Sequence, residues 1–144
     1  MIIVSYCGID IIVIYLANQV KKAYDIEVEE KDIRNVRVNC ELNHVVNLKF
    51  FTGKAEEWLC RWRKKGEEIQ VIILDIPLKG CSKEVLKEIL KIKPKKILYV
   101  SCNPATLARD LSFITKDGYI LEMVLTIDMF SQTSHIECLA SLSI

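Results

Sequence analysis

Short apolar runs that alternate with helical patterns are the feature that most constrains how this chain can fold. Each run is continuous rather than interrupted by polar residues, which is typical of strands buried on both faces of a parallel sheet. The runs are Ile2–Ser5, Tyr24–Val28, Leu48–Thr52, Val71–Asp75 and Ile97–Ser101, and the helical patterns that follow them are Ile11–Ala23, Glu30–Leu42, Ala55–Lys65, Lys83–Lys91 and Ala105–Lys116. This alternation predicts an α/β fold with a doubly wound, mostly parallel sheet.

The C-terminal part of the chain breaks the alternation. Tyr119–Asp128 and Glu137–Ile144 are strand-like and have only a loop between them, so we expect an antiparallel hairpin that closes the sheet. A chain of 144 residues supports one core, and we expect a single domain over residues 1–144. The order of elements resembles the Rossmann-like class I S-adenosylmethionine-dependent methyltransferase fold, although a fold by itself does not establish which reaction a protein catalyses.

Composition and charge narrow the class of protein. The formal net charge is only +1, so the overall charge does not by itself indicate a nucleic-acid partner. The most hydrophobic stretch, Ile2–Val20, is interrupted by Asp10 and Asn18 before it reaches the roughly 18 apolar residues of a membrane span. It also lacks the basic start and cleavage site of a secretory signal. We therefore expect no membrane partner and a cytoplasmic location.

The six cysteines are scattered, and the closest two lie twenty positions apart. With only two histidines in addition, this spacing does not match the paired ligands of zinc or iron–sulfur sites. We predict no metal site, and reduced, mostly buried thiols.

Ligands of open α/β sheets bind beyond the carboxyl ends of the strands, so the residues that end each run are the candidates for a site. Gly8 follows the first run and permits a tight turn into a helix whose amides face a ligand. Glu27 near the end of the second run is placed to accept hydrogen bonds from a ribose diol, although an exposed turn acid is an equally good interpretation. Asp75 ends the fourth run, where a carboxylate needs a partner or a ligand.

The fifth run leads into Ser101-Cys102-Asn103-Pro104, where Asn103 and Pro104 read as helix N-cap and first helical residue. A thiol at a helix N-terminus is stabilised as the thiolate by the unpaired amides, which makes Cys102 a candidate nucleophile. A buried, inert cysteine is the alternative. The loop from Asp128 ends at Glu137, an acid at the start of an apolar strand and a candidate general base, although sequence alone shows neither its reach nor its pKa.

Three segments, VSCNPATLARD, DMFSQTSHIE and LDIPLKG, resemble the catalytic domain of the RNA uracil-5-methyltransferases, which form ribothymidine in tRNA and rRNA. The resemblance implies S-adenosyl-L-methionine as the cofactor and RNA, either rRNA or tRNA, as the partner. It places the nucleophile on Cys102 and the base on Glu137. It places cofactor contacts on Tyr6, Glu27 and Asp75.

The sequence departs from this family on the cofactor side. Val4 stands where the family usually has an aspartate, Asp10 replaces a turn glycine, and Lys54 replaces an acid or amide at the adenine. Ile76 and Leu78 likewise replace the proline and arginine of the family's D-P-P-R run. The family's RNA-binding barrel and central domain are not within these residues, so we expect a partner chain that supplies them, or a truncated gene product. A non-catalytic remnant that keeps the fold is therefore the alternative function.

Two other interpretations stay open. Two basic clusters are candidates for gripping RNA, although solvated helix ends are the favoured interpretation of both: Arg61, Arg63, Lys64 and Lys65, and Lys91, Lys93, Lys95 and Lys96. A weaker third function is a hydrolase-like cysteine site of Cys102, His135 and Glu137.

Overall fold

The structure is a computed structural model that describes residues 1–6, 11–129, 131–133 and 136–144. Its strands are β1 (Ile2–Ser5), β2 (Ala23–Glu27), β3 (Leu48–Thr52), β4 (Val71–Ile76), β5 (Lys96–Ser101), β6 (Ile120–Ile127) and β7 (Glu137–Ser143). Its helices are α1 (Ile11–Ala17), α2 (Glu30–Leu42), α3 (Ala55–Lys64), α4 (Lys83–Ile92) and α5 (Pro104–Thr115).

The strands form one sheet in the order β3-β2-β1-β4-β5-β7-β6. The strands from β1 to β5 pair in parallel, and β7 runs antiparallel to both β5 and β6. The predicted mostly parallel sheet with an antiparallel C-terminal hairpin is confirmed. Because the order of the strands reverses between β1 and β4, a crevice opens at the carboxyl ends of these two strands.

The first helix is shorter than its pattern predicts, and the prediction that it reaches Ala23 is wrong. It ends at Ala17, and Ala23 instead begins β2, where it pairs with Ile2. Asn47 explains the early end, because its side-chain amide donates hydrogen bonds of 2.6 Å to the carbonyls of both Ala17 and Val20. Carbonyls at a helix end need such partners, and here the partner comes from the segment before β3.

The core lies on the central strands. Ile72, Ile97, Tyr99 and Leu142 are fully buried, as expected for strands covered on both faces. The prediction fails for β3, whose residues are all half-buried or exposed, because β3 is an edge strand that pairs only with β2 in the described sheet.

The other edge strand, β6, carries an apolar face that the described residues leave uncovered. All eight of its residues are exposed, and its larger apolar side chains from Leu121 to Ile127 are 39–47% exposed. An edge strand of this kind is prone to pair with another chain.

None of the helices in the described part of the chain combines the length and apolar character that crossing a membrane requires.

Candidate active site

A cleft of about 380 Å³ opens where the carboxyl ends of the parallel strands meet the start of β7. Its lining contains five of the six residues that the sequence singles out: Tyr6, Glu27, Asp75, Cys102 and Glu137. Ile76 and Pro77 complete the lining. The sixth, Gly8, lies outside the described residues.

The topology of the sheet explains why residues so far apart in sequence meet. Tyr6 follows β1, Glu27 ends β2, and Asp75 lies one residue before the end of β4. Cys102 follows β5 at the same edge. Glu137 begins β7 rather than ending it, but β7 is antiparallel to β5, so its first residues pair with the last residues of β5. The antiparallel hairpin therefore brings the candidate base to the edge that holds the candidate nucleophile.

The turn that carries Cys102 is built by its neighbours. Asn103 is the N-cap of α5, and its Oδ1 accepts hydrogen bonds from the amides of Ala105 at 3.0 Å and Thr106 at 3.4 Å. Ser101 is fully buried, and its Oγ accepts from the Asn103 amide at 3.1 Å. The predicted cap is confirmed, and a half-buried thiol lies beside the amino end of a twelve-residue helix.

Tyr6 has a left-handed backbone, with φ of 68°, which is uncommon for a bulky residue and costs of order 1–3 kcal/mol. Strain of this kind gathers at ligand-binding sites. Burial, followed by the nearby charges of Cys81 and Glu56, raises the pKa of the Tyr6 phenol. The ring therefore stays neutral and offers the cleft an aromatic surface with a hydroxyl group.

Backbone amides orient the carboxylate of Glu27. Its Oε1 accepts a hydrogen bond of 2.6 Å from the Val28 amide and one of 3.4 Å from the Glu29 amide, just before α2 begins. Asp75 is half-buried and pairs in register with Val100 of β5. Glu27 and Asp75 thus both stand on strands of the sheet, and the carboxylate of Glu27 is oriented by the amides that directly follow β2.

Two of the positions at which the sequence departs from the family, Val4 and Lys54, lie away from this lining, whereas a third, Ile76, is part of it. Val4 is fully buried within β1, and Lys54 is the exposed N-cap of α3. Neither lines the cleft. Asp10, like the His135 of the hydrolase hypothesis, lies outside the described residues.

The basic clusters also lie elsewhere. Arg63 pairs with Glu88 at 3.2 Å, Lys91 pairs with the same carboxylate at 2.5 Å, and Arg61 stacks 4.8 Å above the ring of Trp58. These intramolecular contacts favour the interpretation of solvated, ion-paired helix surfaces. Within the described residues, no group of three or more His, Cys, Asp or Glu side chains is arranged to hold a metal ion.

Sequence reasoning missed Asp110, which is buried in α5 directly behind the cleft wall. The signal was present, because Asp110 falls on the same helical face as Leu107, Leu111 and Ile114. An acid on an otherwise apolar face is a buried charge that needs partners.

Comparison with known proteins gives a consistent result. The model of the family described as tRNA (uracil-5-)-methyltransferase matches residues 2–143. A protein of Listeria innocua, described as an uncharacterized RNA methyltransferase, is 45% identical over 143 residues, which is 99% of this chain and 32% of that protein. One of Oceanobacillus iheyensis with the same description is 42% identical over 144 residues, 100% of this chain and 31% of its own length. This chain thus spans about a third of these relatives.

Solved structures agree on the fold. The Pyrococcus abyssi tRNA (uracil-54, C5)-methyltransferase in complex with S-adenosyl-L-homocysteine superposes with a TM-score of 0.81 at 29% identity, covering 98% of this chain and 33% of that one. Precorrin-6y C5,15-methyltransferase from Geobacter metallireducens superposes with a TM-score of 0.78 at 12% identity, covering 100% of this chain and 80% of that one. The second likeness concerns the fold alone.

Proposed function

The chain belongs to the tRNA (uracil-5-)-methyltransferase family, as its motifs predicted, and on this premise we propose that it methylates C5 of uracil in RNA through a covalent adduct of Cys102. The observation that carries the proposal is the meeting of Cys102 and Glu137 with Tyr6, Glu27 and Asp75 in one cleft. A nucleophile, a base and a set of polar groups suited to a nucleoside are what this reaction requires.

The donor set of the cleft fits S-adenosyl-L-methionine. Glu27 is an oriented carboxylate at the end of β2, where a ribose diol binds in folds of this class. Tyr6 supplies an aromatic surface for the adenine or the sulfonium, and Asp75 supplies a carboxylate at the switch point of the sheet. A cleft of about 380 Å³ is within the size range of small-molecule sites. When bound, this cofactor supplies an electrophilic methyl group.

Cys102 activates the target base. Uracil C5 is a weak carbon nucleophile, and addition of the Cys102 thiolate to C6 moves electron density onto C5 and O4. C5 then takes the methyl group while the Cys102 sulfur remains bonded to C6. Cys102 lies directly before the amino end of α5, in the same cleft as the other candidate residues.

Glu137 completes the reaction. After methyl transfer, C5 carries both the new methyl group and its original proton, and a base must remove that proton before the ring can regain its double bond. The Glu137 carboxylate takes the proton, the C5–C6 double bond re-forms, and the C6–S bond breaks to release the Cys102 thiolate. The half-buried position of Glu137 in the same cleft supports this role.

The substrate is RNA, and the target base must leave its stack to enter the cleft. The family description and the Pyrococcus abyssi protein favour tRNA over rRNA. Because the chain spans about a third of its relatives, we propose that further polypeptide, linked or in a partner chain, grips the RNA. We propose a cytoplasmic location for this reaction.

Trapping with RNA that contains 5-fluorouracil tests the proposal. Fluorine at C5 cannot be removed as a proton, so the adduct should accumulate and migrate as a protein–RNA band on a denaturing gel. Cys102→Ala should abolish the band, and Cys60→Ala, which alters a half-buried thiol on α3, should retain it. Absence of the band from the wild-type chain at saturating cofactor and saturating RNA would refute the proposal.

The non-catalytic remnant is the second candidate function, favoured by Val4 and Lys54 at positions where the family carries other residues. Neither residue lines the cleft, so we expect cofactor binding to survive. Titration calorimetry with S-adenosyl-L-homocysteine separates the two functions: micromolar binding supports the enzyme, and no heat at millimolar ligand supports the remnant.

A further inference from the structure

A buried carboxylate behind the cleft joins its two walls. Asp110 of α5 is only 2% exposed. Its Oδ2 accepts hydrogen bonds from the Tyr99 hydroxyl at 2.5 Å and the Cys81 amide at 2.8 Å, and its Oδ1 accepts from Arg109 Nε at 2.8 Å. A buried carboxylate is costly unless it is paired and hydrogen-bonded, and these three donors meet that condition.

The donors of Asp110 come from three different segments. Tyr99 lies in β5, three residues before Cys102, and Arg109 belongs to α5, which begins just after Cys102. Cys81 lies in the segment of residues 77–82 that joins β4 to α4, which we call the β4–α4 loop. Asp110 therefore fixes α5 on β5 and, with the same oxygen, holds the loop.

The β4–α4 loop starts in the cleft, at Pro77, and turns immediately against α5. The Gly80 amide donates to the Pro77 carbonyl at 2.9 Å, and Gly80 has φ of 82°. A Cβ atom at Gly80 would overlap Arg109 Nη2 and would lie 3.0 Å from Thr106 Cβ and 3.1 Å from Asp110 Oδ2. The loop backbone thus lies directly on the Arg109–Asp110 pair, with no room for a side chain between them.

The same loop is tied to the turn that carries the nucleophile. Asn103 Nδ2 donates to the Leu78 carbonyl at 3.1 Å, and Thr106 Oγ1 donates to it at 3.4 Å. The loop is therefore held at Leu78 by the first turn of α5 and at Cys81 by Asp110. Together these contacts set the position of the wall formed by Asp75 and Pro77 relative to Cys102.

We propose that Asp110, with Tyr99 and Arg109, is a positioning group for methyl transfer: it keeps the cofactor wall of the cleft in register with the nucleophile. The inference rests on the proposed function. None of these three side chains lines the cleft, so they act through the loop rather than on the substrate. Misplacement of reacting groups by about 1 Å costs on the order of 100-fold in rate, so a contact that fixes the distance between the two walls of the cleft has a large effect on the reaction.

The raised pKa values of Tyr99 and Cys81 keep both side chains neutral, which suits a structural role for the Asp110 cluster. Burial, followed by the hydrogen bond and charge of Asp110, raises the pKa of the Tyr99 phenol, so the hydroxyl stays a donor at neutral pH. Burial and then the charge of Asp110 raise the pKa of the Cys81 thiol to about 12. Cys81 is therefore a neutral thiol and does not compete with Cys102 as a nucleophile.

A matched pair of tyrosine variants tests the inference. Tyr99→Phe removes the hydroxyl bound to Asp110, and Tyr119→Phe removes a hydroxyl that is equally buried but donates to the Pro94 carbonyl at 2.7 Å, away from the cleft. Tyr119→Phe loses one buried hydrogen bond, whereas Tyr99→Phe loses two, because the Tyr99 hydroxyl also accepts from the Cys81 amide at 3.2 Å. Both variants should therefore lower the melting temperature, Tyr99→Phe by more. Only Tyr99→Phe should lower kcat for methyl transfer to unmodified tRNA transcripts, by about tenfold or more, with KM for RNA nearly unchanged.

Asp110→Asn provides a second variant, and we expect a larger loss of kcat than in Tyr99→Phe. Equal kcat for Tyr99→Phe and Tyr119→Phe, beside an active wild type, would overturn the positioning role and leave the proposed function standing. A wild-type chain that neither binds S-adenosyl-L-homocysteine nor forms the RNA adduct would overturn both, because no site would remain to be positioned.

Discussion

Replacing Asn103 with alanine tests how the turn that carries the nucleophile is held. The Asn103 side chain does two things: its Oδ1 caps α5 by accepting from the amides of Ala105 and Thr106, and its Nδ2 donates to the Leu78 carbonyl. Loss of an N-cap costs about 1 kcal/mol. Loss of one further hydrogen bond costs about another 1 kcal/mol. Asn103→Ala should therefore lower the free energy of unfolding by about 2 kcal/mol.

For a chain of 144 residues, this loss corresponds to a fall of about 6 °C in melting temperature, since about 3 °C accompanies each kcal/mol at this size. Asn103→Asp is the matched comparison, because a carboxylate caps a helix as well as an amide does but cannot donate to Leu78. It should lose only about 1 kcal/mol.

Urea unfolding followed by the fluorescence of Trp58 and Trp62 measures both variants in the absence of any ligand. The ordering is the decisive result. If the aspartate variant is as unstable as the alanine variant, the cap contributes nothing and the account of the turn is wrong. If both retain wild-type stability, the Leu78 contact contributes nothing either.

Three further predictions concern features outside the cleft. The hydrogen bonds from its lysine partner and then its arginine partner lower the pKa of Glu88 below the ordinary glutamate value of 4.5. The charged carboxylate therefore stabilises the fold above pH 4.5, and this stability is lost as the pH falls through the depressed pKa. By urea unfolding, Glu88→Gln should be less stable than wild type at pH 7, and the difference should shrink as the pH falls below 4.5. Gly80→Ala should destabilise clearly more than Gly66→Ala, since both positions have positive φ but only the first lacks room for a Cβ; equal melting temperatures would contradict this. Val124→Lys on β6 should leave the melting temperature within about 1 °C and reduce the concentration-dependent self-association of the chain, measured by light scattering; unchanged association would show that β6 is not the surface involved.

The order of the elements could be read from the sequence because periodicity is a local signal. The five apolar runs became the first five strands of the sheet, and the cap at Asn103 and Pro104 was found where the residue types predicted it. The end of α1 could not be read in this way, because it depends on Asn47, a residue about thirty positions away.

For the candidate site, the identity of most residues could be predicted from the sequence, but their proximity could not. Cys102, Glu137 and the acids at the strand ends could be singled out because each sits at a junction that its neighbours define. Their meeting in one cleft depended on the strand order, and on β7 running antiparallel to β5, which brings the start of one strand beside the end of the other. Asp110 was missed for a related reason: an Arg-Asp pair reads as a surface ion pair until the helix is packed against Tyr99 and Cys81.

The sequence alone thus determined which segments form strands and helices and which residues stand at their ends, because spacing and capping act over a few residues. Tertiary structure decided burial and proximity, because these depend on which elements become neighbours. The apolar run of β6 is the clearest case: its residues are as apolar as those of the central strands, but its place at the edge of the sheet leaves all eight exposed. The arrangement of the strands likewise brings five residues together in one cleft, although they lie up to 131 positions apart in the chain, from Tyr6 to Glu137.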